Sequence, residues 1–215
     1  MKKGDFIRIN YIGRLDSGEI FDLTDAEIAK KENVYNPNIK YGPIPIIVGE
    51  GFLLKGLDDA LFDMDVGEKK KIEIKPEYGF GQRKPELIKI LPKKIFKSQN
   101  IEPKPGMVID FSGTKGRIQS INAGRVRVDF NNPLAGKTLH YEIEIKEKIE
   151  DVTEKIKSIF EFFGIDNAKI KVDEDNVTID MIKLPQELKN KISSLILNNI
   201  NEIKRVTFLE TFERK

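Results

Sequence analysis

The sequence predicts an α+β protein built on antiparallel sheets, and three observations predict it. Apolar and polar residues alternate over many short runs, as in strands with one covered face. A single short amphipathic helix interrupts them: Leu53, Leu54, Leu57, Leu61 and Met64 recur at three- and four-residue spacing, with Lys55, Asp58, Asp59 and Asp63 between them. From Asp151 the pattern turns to longer helical periods, which marks a further α+β part.

Taken in order, Phe6 to Leu15 reads as a strand, and Asp16-Ser17-Gly18 turns it into a second, Glu19 to Asp22. Thr24-Asp25-Ala26-Glu27 has capping-box spacing and starts a short helix near Ala26 to Lys31. Asn36-Pro37-Asn38 breaks that helix. Ile44, Ile46 and Val48 then alternate ahead of Gly49; the amphipathic helix follows, Gly67 ends its turn, and Lys69 to Ile74 is the next strand. PEYGFG, from Pro76 to Gly81, is an aromatic loop. Beyond it Leu87 to Ile90, Met107 to Phe111, Arg117 to Ile121 and Val126 to Phe130 read as strands. Pro92, Pro105-Gly106, Thr114-Lys115-Gly116 and Ala123-Gly124 supply the turns. So long a span is not a structureless loop, so it is an inserted small β domain. The strand Thr138 to Ile145 puts Leu139, Tyr141, Ile143 and Ile145 on one face and His140 on the other. The last part reads helix (Val152 to Phe163, ended by Gly164), hairpin (Ala168 to Asp173, Asn176 to Lys183), helix (Leu188 to Ile200) and strand (Glu202 to Phe212). The expected domains are therefore 1–84 with 138–151, an insert at 85–137, and a C-terminal α+β domain at 152–215.

Composition narrows the chemistry. There is no cysteine, which excludes disulfides and thiolate metal sites, and His140 is the one histidine, which excludes histidine metal clusters and any Ser-His machinery. No metal and no cofactor are expected. No apolar run is long enough for a signal peptide or a membrane span, so the reading is a cytoplasmic protein without a membrane partner. Charge is uneven: residues 85–137 carry ten Lys and Arg against four Asp and Glu, while 152–215 carry eleven of each. The insert is thus a basic module on a neutral to acidic body.

Three motifs in order, VGEGFLLKGLDDAL, MDVGEKKKIEI and PEYGFG, resemble the FKBP-type peptidyl-prolyl cis-trans isomerases. That resemblance implies a strongly bent antiparallel half-barrel whose one short helix closes an apolar groove for a proline side chain. The segments GQRKPELIKILPKKIF and NNPLAGKTLHYEIEI are similar to the borders of the insert-in-flap chaperone domain found in the SlyD-type branch and its long archaeal relatives. The likeness covers about residues 1–150. SlyD proteins also have a His-rich tail; this chain has none, so nickel binding is not carried over.

The resemblance implies an activity, rotamase action on X-Pro bonds during protein folding, and it implies site residues. Tyr11, Phe21, Asp22, Leu54, Tyr78 and Tyr141 match the catalytic positions, with Asp22 as the rim carboxylate and the Leu54 N–H facing a substrate carbonyl. Ile46, Leu53, Leu57 and Phe80 match groove-lining positions. Leu57 stands where many members have Trp, and Phe80 where some have a hydrogen-bonding tyrosine, which leaves that hydroxyl to Tyr78 and a less aromatic floor. In the insert, Ile88, Ile90, Phe96 and Met107 are candidates for an apolar surface that holds unfolded chains, possible by strand addition. For each aliphatic residue the plain alternative is core.

The expected partners are unfolded or partly folded proline-containing polypeptides, and a second copy of the chain through 152–215, where Phe160, Phe163, Phe208 and Phe212 are a heavy apolar load. Two rival readings are a holdase chaperone with a vestigial groove, and an RNA-binding or ribosome-associated protein using the basic insert. Against the second, the charge excess is modest and no aromatic residues are interleaved with the arginines, so nucleic acid is not an expected partner.

Overall fold

A computed structural model describes residues 1–181 and 183–210. In chain order it runs β1 (Phe6–Leu15), β2 (Ile20–Leu23), α1 (Ala26–Lys31), β3 (Ile44–Ile47), α2 (Lys55–Leu61) and β4 (Lys69–Ile74). Then come β5 (Ile88–Pro92), α3 (Lys93–Lys97), β6 (Val108–Phe111), β7 (Thr114–Asn122) and β8 (Arg125–Asp129). Last are β9 (Leu139–Lys148), α4 (Val152–Phe162), β10 (Lys169–Asp173), β11 (Asn176–Asp180), α5 (Gln186–Asn199) and β12 (Arg205–Leu209). Two compact units result: Met1–Ile74 with the chain from Leu139 on, and Lys75–Thr138.

In the first unit β1 is the central strand. One of its edges pairs along its length with β9, which in turn carries β4. The other edge is divided: β3 takes Phe6 to Ile9 and β2 takes Ile12 to Arg14, all antiparallel. Register shifts at Arg8/Ile9 and Gly13/Arg14 insert extra residues, and such bulges bend a strand and increase its twist. The sheet is open and bent, with no closed barrel, in keeping with the expected half-barrel.

Two local expectations need correction. The cap of α1 is Asp25, whose carboxylate accepts from the Glu27 and Ile28 N–H groups, and not Thr24. The Thr24 hydroxyl is buried, donates to Asn10 Oδ1 and accepts from the Tyr11 N–H, so it is already committed to β1. The second concerns α2, which begins at Lys55, so Leu53 and Leu54 lie in the approach to the helix with Leu54 in extended backbone (φ −57°, ψ 142°). Gly49 (φ 78°) and Gly51 (φ 71°) take left-handed conformations that keep this stretch a loop.

The C-terminal elements pack into the first unit. β10, β11 and β12 form a three-stranded sheet, with β10 antiparallel and β12 parallel to β11. Ile156, Ile159 and Phe160 of α4, Val177 and Ile179 of β11, and Ile192 and Ile196 of α5 share one apolar cluster with Phe6, Ile47 and Ile149. The start of β1 and the end of β3 are consequently covered on both faces, since Ile7 and Ile46 are also buried. Arg8 makes a bidentate bridge to Glu161 of α4 (3.1 and 2.7 Å), which ties the same strand to the same helix. The expected last strand, Glu202 to Phe212, is found as β12; Phe212 lies outside the described residues.

In the second unit the sheet order is β5-β8-β7-β6, antiparallel throughout. Helix α3 starts directly after Pro92, where only a turn was expected, and turns Phe96 onto the core of Ile109, Ile118, Val126 and Val128. Among the described residues no helix is long and apolar enough to cross a membrane.

Candidate active site

The site assembles around Gly13. Its backbone pairs with Asp22 on one side and Tyr141 on the other, so those two side chains share its face of the sheet. The register shift that follows leaves Phe21 without a partner, and this extra residue lays its ring over Gly13. A Cβ at position 13 would stand 2.7 Å from Phe21 Cζ and 3.0 Å from Tyr141 Cε1. Only glycine lets the two rings close over the strand. Phe21 and Tyr141 then meet edge-to-face (centroids 5.5 Å apart, 87°), and Tyr11 meets Tyr141 at 5.9 Å and 62°. The result is an aromatic box open on one side, with Tyr141 buried, Tyr11 and Phe21 half-buried, and Asp22 exposed at the rim.

The Tyr11 hydroxyl donates to Asp22 Oδ2 at 2.9 Å, which holds the carboxylate in place. Burial, and then the Asp22 charge, push the Tyr11 phenol well above its ordinary range; burial followed by Asp22 does the same to Tyr141. Both stay neutral across physiological pH. The box therefore holds neutral hydroxyls beside one carboxylate.

The loop from Gly49 to Leu54 leads into α2. Asp58, expected on the outer face of the helix, is buried instead and accepts from the Gly49 and Gly51 N–H groups (2.8 and 3.4 Å). It clamps the loop that presents Leu53 and Leu54. Phe52, from the same loop, packs on Phe162 of α4 at 4.3 Å between ring centroids. Among the described residues the Leu54 N–H donates to no protein acceptor, so it is available to a bound carbonyl. Leu57 and Ile46 are buried; Ile46 is core rather than groove surface.

Tyr11, Phe21, Asp22 and Tyr141 are thus brought together. Tyr78 and Phe80 belong to the second unit, where Tyr78 ends a single 3₁₀ turn and is 54% exposed. Of the residues assigned to client capture, Ile90 (62%) and Met107 (41%) are exposed and Ile88 is half-buried. Phe96 is 1% exposed and must be struck from that surface, because α3 seats it in the insert's core. His140 does face outward, with Nε2 2.7 Å from Asp16 Oδ1. It borders a cavity of about 390 Å³ lined also by Ile12, Arg14, Lys71, Ile72, Glu73, Tyr141 and Glu142, so that cavity shares Tyr141 with the aromatic box.

Gly13 and Asp58 were not singled out from sequence. A glycine inside a strand is itself a sign of close approach, so Gly13 was discoverable. Asp58 carried no such sign, since its burial depends on the fold of the preceding loop.

An aromatic box with a rim carboxylate offers a compact apolar ring a place to lie. Comparison with known proteins agrees. Over 147 residues the chain is 40% identical to a short-type peptidyl-prolyl cis-trans isomerase of Methanocaldococcus jannaschii, covering 68% of this chain and 93% of that protein. It is 31% identical over 144 residues to a probable FKBP-type 16 kDa peptidyl-prolyl cis-trans isomerase of Pseudomonas fluorescens (65% and 85% covered). It is 27% identical over 157 residues to the FKBP-type isomerase SlyD of Treponema pallidum (71% and 81% covered). Residues 89–134 match the family model described as FKBP26, IF domain. The chain belongs to the FKBP-type peptidyl-prolyl cis-trans isomerases.

Proposed function

We propose that the chain catalyses cis-trans isomerisation of X-Pro bonds in polypeptides, and that its second unit captures the unfolded segments that carry them. The barrier to be lowered, about 18–20 kcal/mol, comes from amide resonance. The planar amide is the more charge-separated state and the twisted transition state the less polar one. A box formed by Phe21, Tyr141 and Tyr11 takes the proline ring out of water and so favours the twisted form, with no metal, cofactor or proton transfer. The Leu54 N–H donates to a substrate carbonyl, and Asp22, steadied by Tyr11, sets the polar rim. Tyr78 and Phe80 enter this reading through the PEYGFG motif alone. The observation that carries it is the closure of Phe21 and Tyr141 over Gly13.

Capture by residues 85–137 is supported by exposed Ile90 and Met107 and by the outer strands β5 and β6, each with one unpaired edge among the described residues. Self-association through residues 152–215 belongs to the same proposal. β10 and β12 each leave an edge, although Phe160, counted toward that interface, is covered within the chain. Light scattering that finds only monomers removes it.

The test pairs two substrates, a short X-Pro peptide and a protein whose refolding is proline-limited, with and without residues 85–137. A peptide needs only the box, so its rate stays within an order of magnitude. The protein's refolding slows far more steeply, because tethering provides effective concentrations on the order of millimolar. Equal losses on both substrates reduce the insert to a structural flap, and no turnover of the peptide by the full chain reduces the protein to a holdase.

A further inference from the structure

In the second unit α3 covers one face of the four-stranded sheet, through Phe96, while the other face is exposed at Ile90, Pro92, Val108, Arg117, Arg125 and Arg127 and covered at Asp129. On that second face Arg125 and Arg127 occupy alternate positions of β8, and Arg117 of β7 pairs with Asp129, the next same-face position. Arg125 and Arg127 stand about 7 Å apart along β8, the two-residue repeat of a strand, and Arg117 stands beside the next position one strand over, about 5 Å to the side, so the three exposed arginines trace a diagonal across β8 and β7. Asp129 does not neutralise them: it is buried and engaged by Arg83, Gln119 and Asn131. Among the described residues none of the three arginines makes an ion pair. Each has an exposed apolar residue opposite it on the neighbouring strand: Ile90 beside Arg127, Pro92 beside Arg125 and Val108 beside Arg117.

Resting on the reading of this unit as a capture module, we propose that the open face binds extended polypeptide segments with Asp or Glu at every second position. Carboxylates at i and i+2 of such a segment repeat at the spacing of Arg125 and Arg127, one at i+4 lies within reach of Arg117 on the adjacent strand, and each suits the planar fork of a guanidinium. Ile90, Pro92 and Val108 flank the arginines and cover the pairs from water, which strengthens them. The charge makes the face selective: a lysine-bearing segment meets repulsion at three positions. A single-stranded nucleic acid also offers regularly spaced anions. It needs aromatic platforms for its bases, and no aromatic residue is exposed on β5, β6, β7 or β8.

The experiment uses the full chain and fluorescence anisotropy with three labelled, proline-free peptides in which Glu, Gln or Lys alternates with Val. The Glu peptide binds at least about tenfold more tightly than the Gln peptide at low salt, the Lys peptide more weakly than either, and added salt erodes the difference. Arg117→Gln/Arg125→Gln/Arg127→Gln brings Glu and Gln peptides within about twofold of one another, whereas Lys94→Gln/Lys97→Gln/Lys104→Gln, the same charge change off this face, preserves the preference. All six side chains are exposed, so both variants keep the fold. Equal binding of the Glu and Gln peptides by the unaltered chain overturns the proposal while leaving capture itself standing. Failure of every peptide to bind overturns both. An oligouridylate that binds more tightly than the Glu peptide and is lost in the arginine variant overturns it in favour of RNA.

Discussion

Gly13→Ala is the most discriminating perturbation of the box. The added methyl would stand 2.7 and 2.9 Å from two atoms of the Phe21 ring and 3.0 Å from Tyr141. Carbon atoms rest at about 3.5–4.0 Å, so the rings must retreat by on the order of 1 Å. The backbone has no objection, because Gly13 lies in regular strand conformation. Phe21 is half-buried and the atoms that clash are the far end of its side chain, so it swings outward at a stability cost toward the low end of the about 1–3 kcal/mol typical of overpacking. The box pays differently. Its opening admits water to the C–N bond and removes the edge-to-face contact, so kcat/KM on an X-Pro tetrapeptide falls at least about tenfold, or 1.4 kcal/mol. The assay compares that rate with the urea midpoint of the same preparation. Activity within about twofold of the parent in a folded Gly13→Ala chain would refute the argument that ring closure over Gly13 makes the site.

Phe21→Ala lowers the same rate at least about tenfold and Asp22→Asn less, since the apolar contribution dominates; the reverse ranking contradicts the mechanism. Asp58→Ala strands the Gly49 N–H, costs about 1–3 kcal/mol in urea unfolding and loosens the loop of Leu53 and Leu54, so activity drops by more than stability alone explains. Truncation after residue 151 uncovers Phe6, Ile47 and Ile149, each worth about 1.5–3 kcal/mol when buried, and lowers stability by on the order of 5 kcal/mol; an unchanged urea midpoint denies the shared core. Because Tyr11 and Tyr141 resist ionisation in the fold, their contribution is complete below the ordinary phenol value of about 10 and is lost as pH rises above it. Stability measured through that range therefore falls, and falls less when Tyr141 is replaced by Phe.

Much of this was legible because alternation reports which face of a strand is covered. β1, β4, β8 and β9 lie within a few residues of where the pattern put them, and α1 spans the residues its capping spacing marked. Thr114-Lys115-Gly116, expected as a turn, is instead the start of β7, the turn being made by Ser112 and Gly113 in left-handed backbone. The harder features all depend on what arrives from elsewhere in the chain. Ile46-Ile47-Val48 is an unbroken apolar run, as is Phe6-Ile7, and such runs indicate strands covered on both faces. Read as simple alternation, they concealed the packing of α4 on β1 and β3. Leu53 and Leu54 continue the helical spacing of α2 but belong to its approach, because two left-handed glycines and the Asp58 carboxylate keep the loop from winding. Pro92 was read as a break, yet a proline with extended backbone can stand immediately ahead of a helix, as it does before α3.

These misread places bear on how the box is held. In the proposed site the loop from Gly49 to Leu54 contributes a backbone donor, and a donor is useful only if its position is fixed before substrate arrives. Asp58 fixes the loop from within α2, through bonds to two glycine N–H groups. Phe52 fixes it from the other side, against Phe162 and Phe163 at the end of α4. The first support is internal to the half-barrel. The second comes from α4, among the C-terminal elements of the first unit. The C-terminal α+β elements therefore brace the loop that leads into α2. Arg8 adds a further link from β1 to Glu161, one residue before Phe162. Phe162→Ala separates this role from general stability. It removes one ring from a half-exposed contact and leaves Phe160 and Ile159 in the shared core, so the urea midpoint moves little while binding of the peptide weakens.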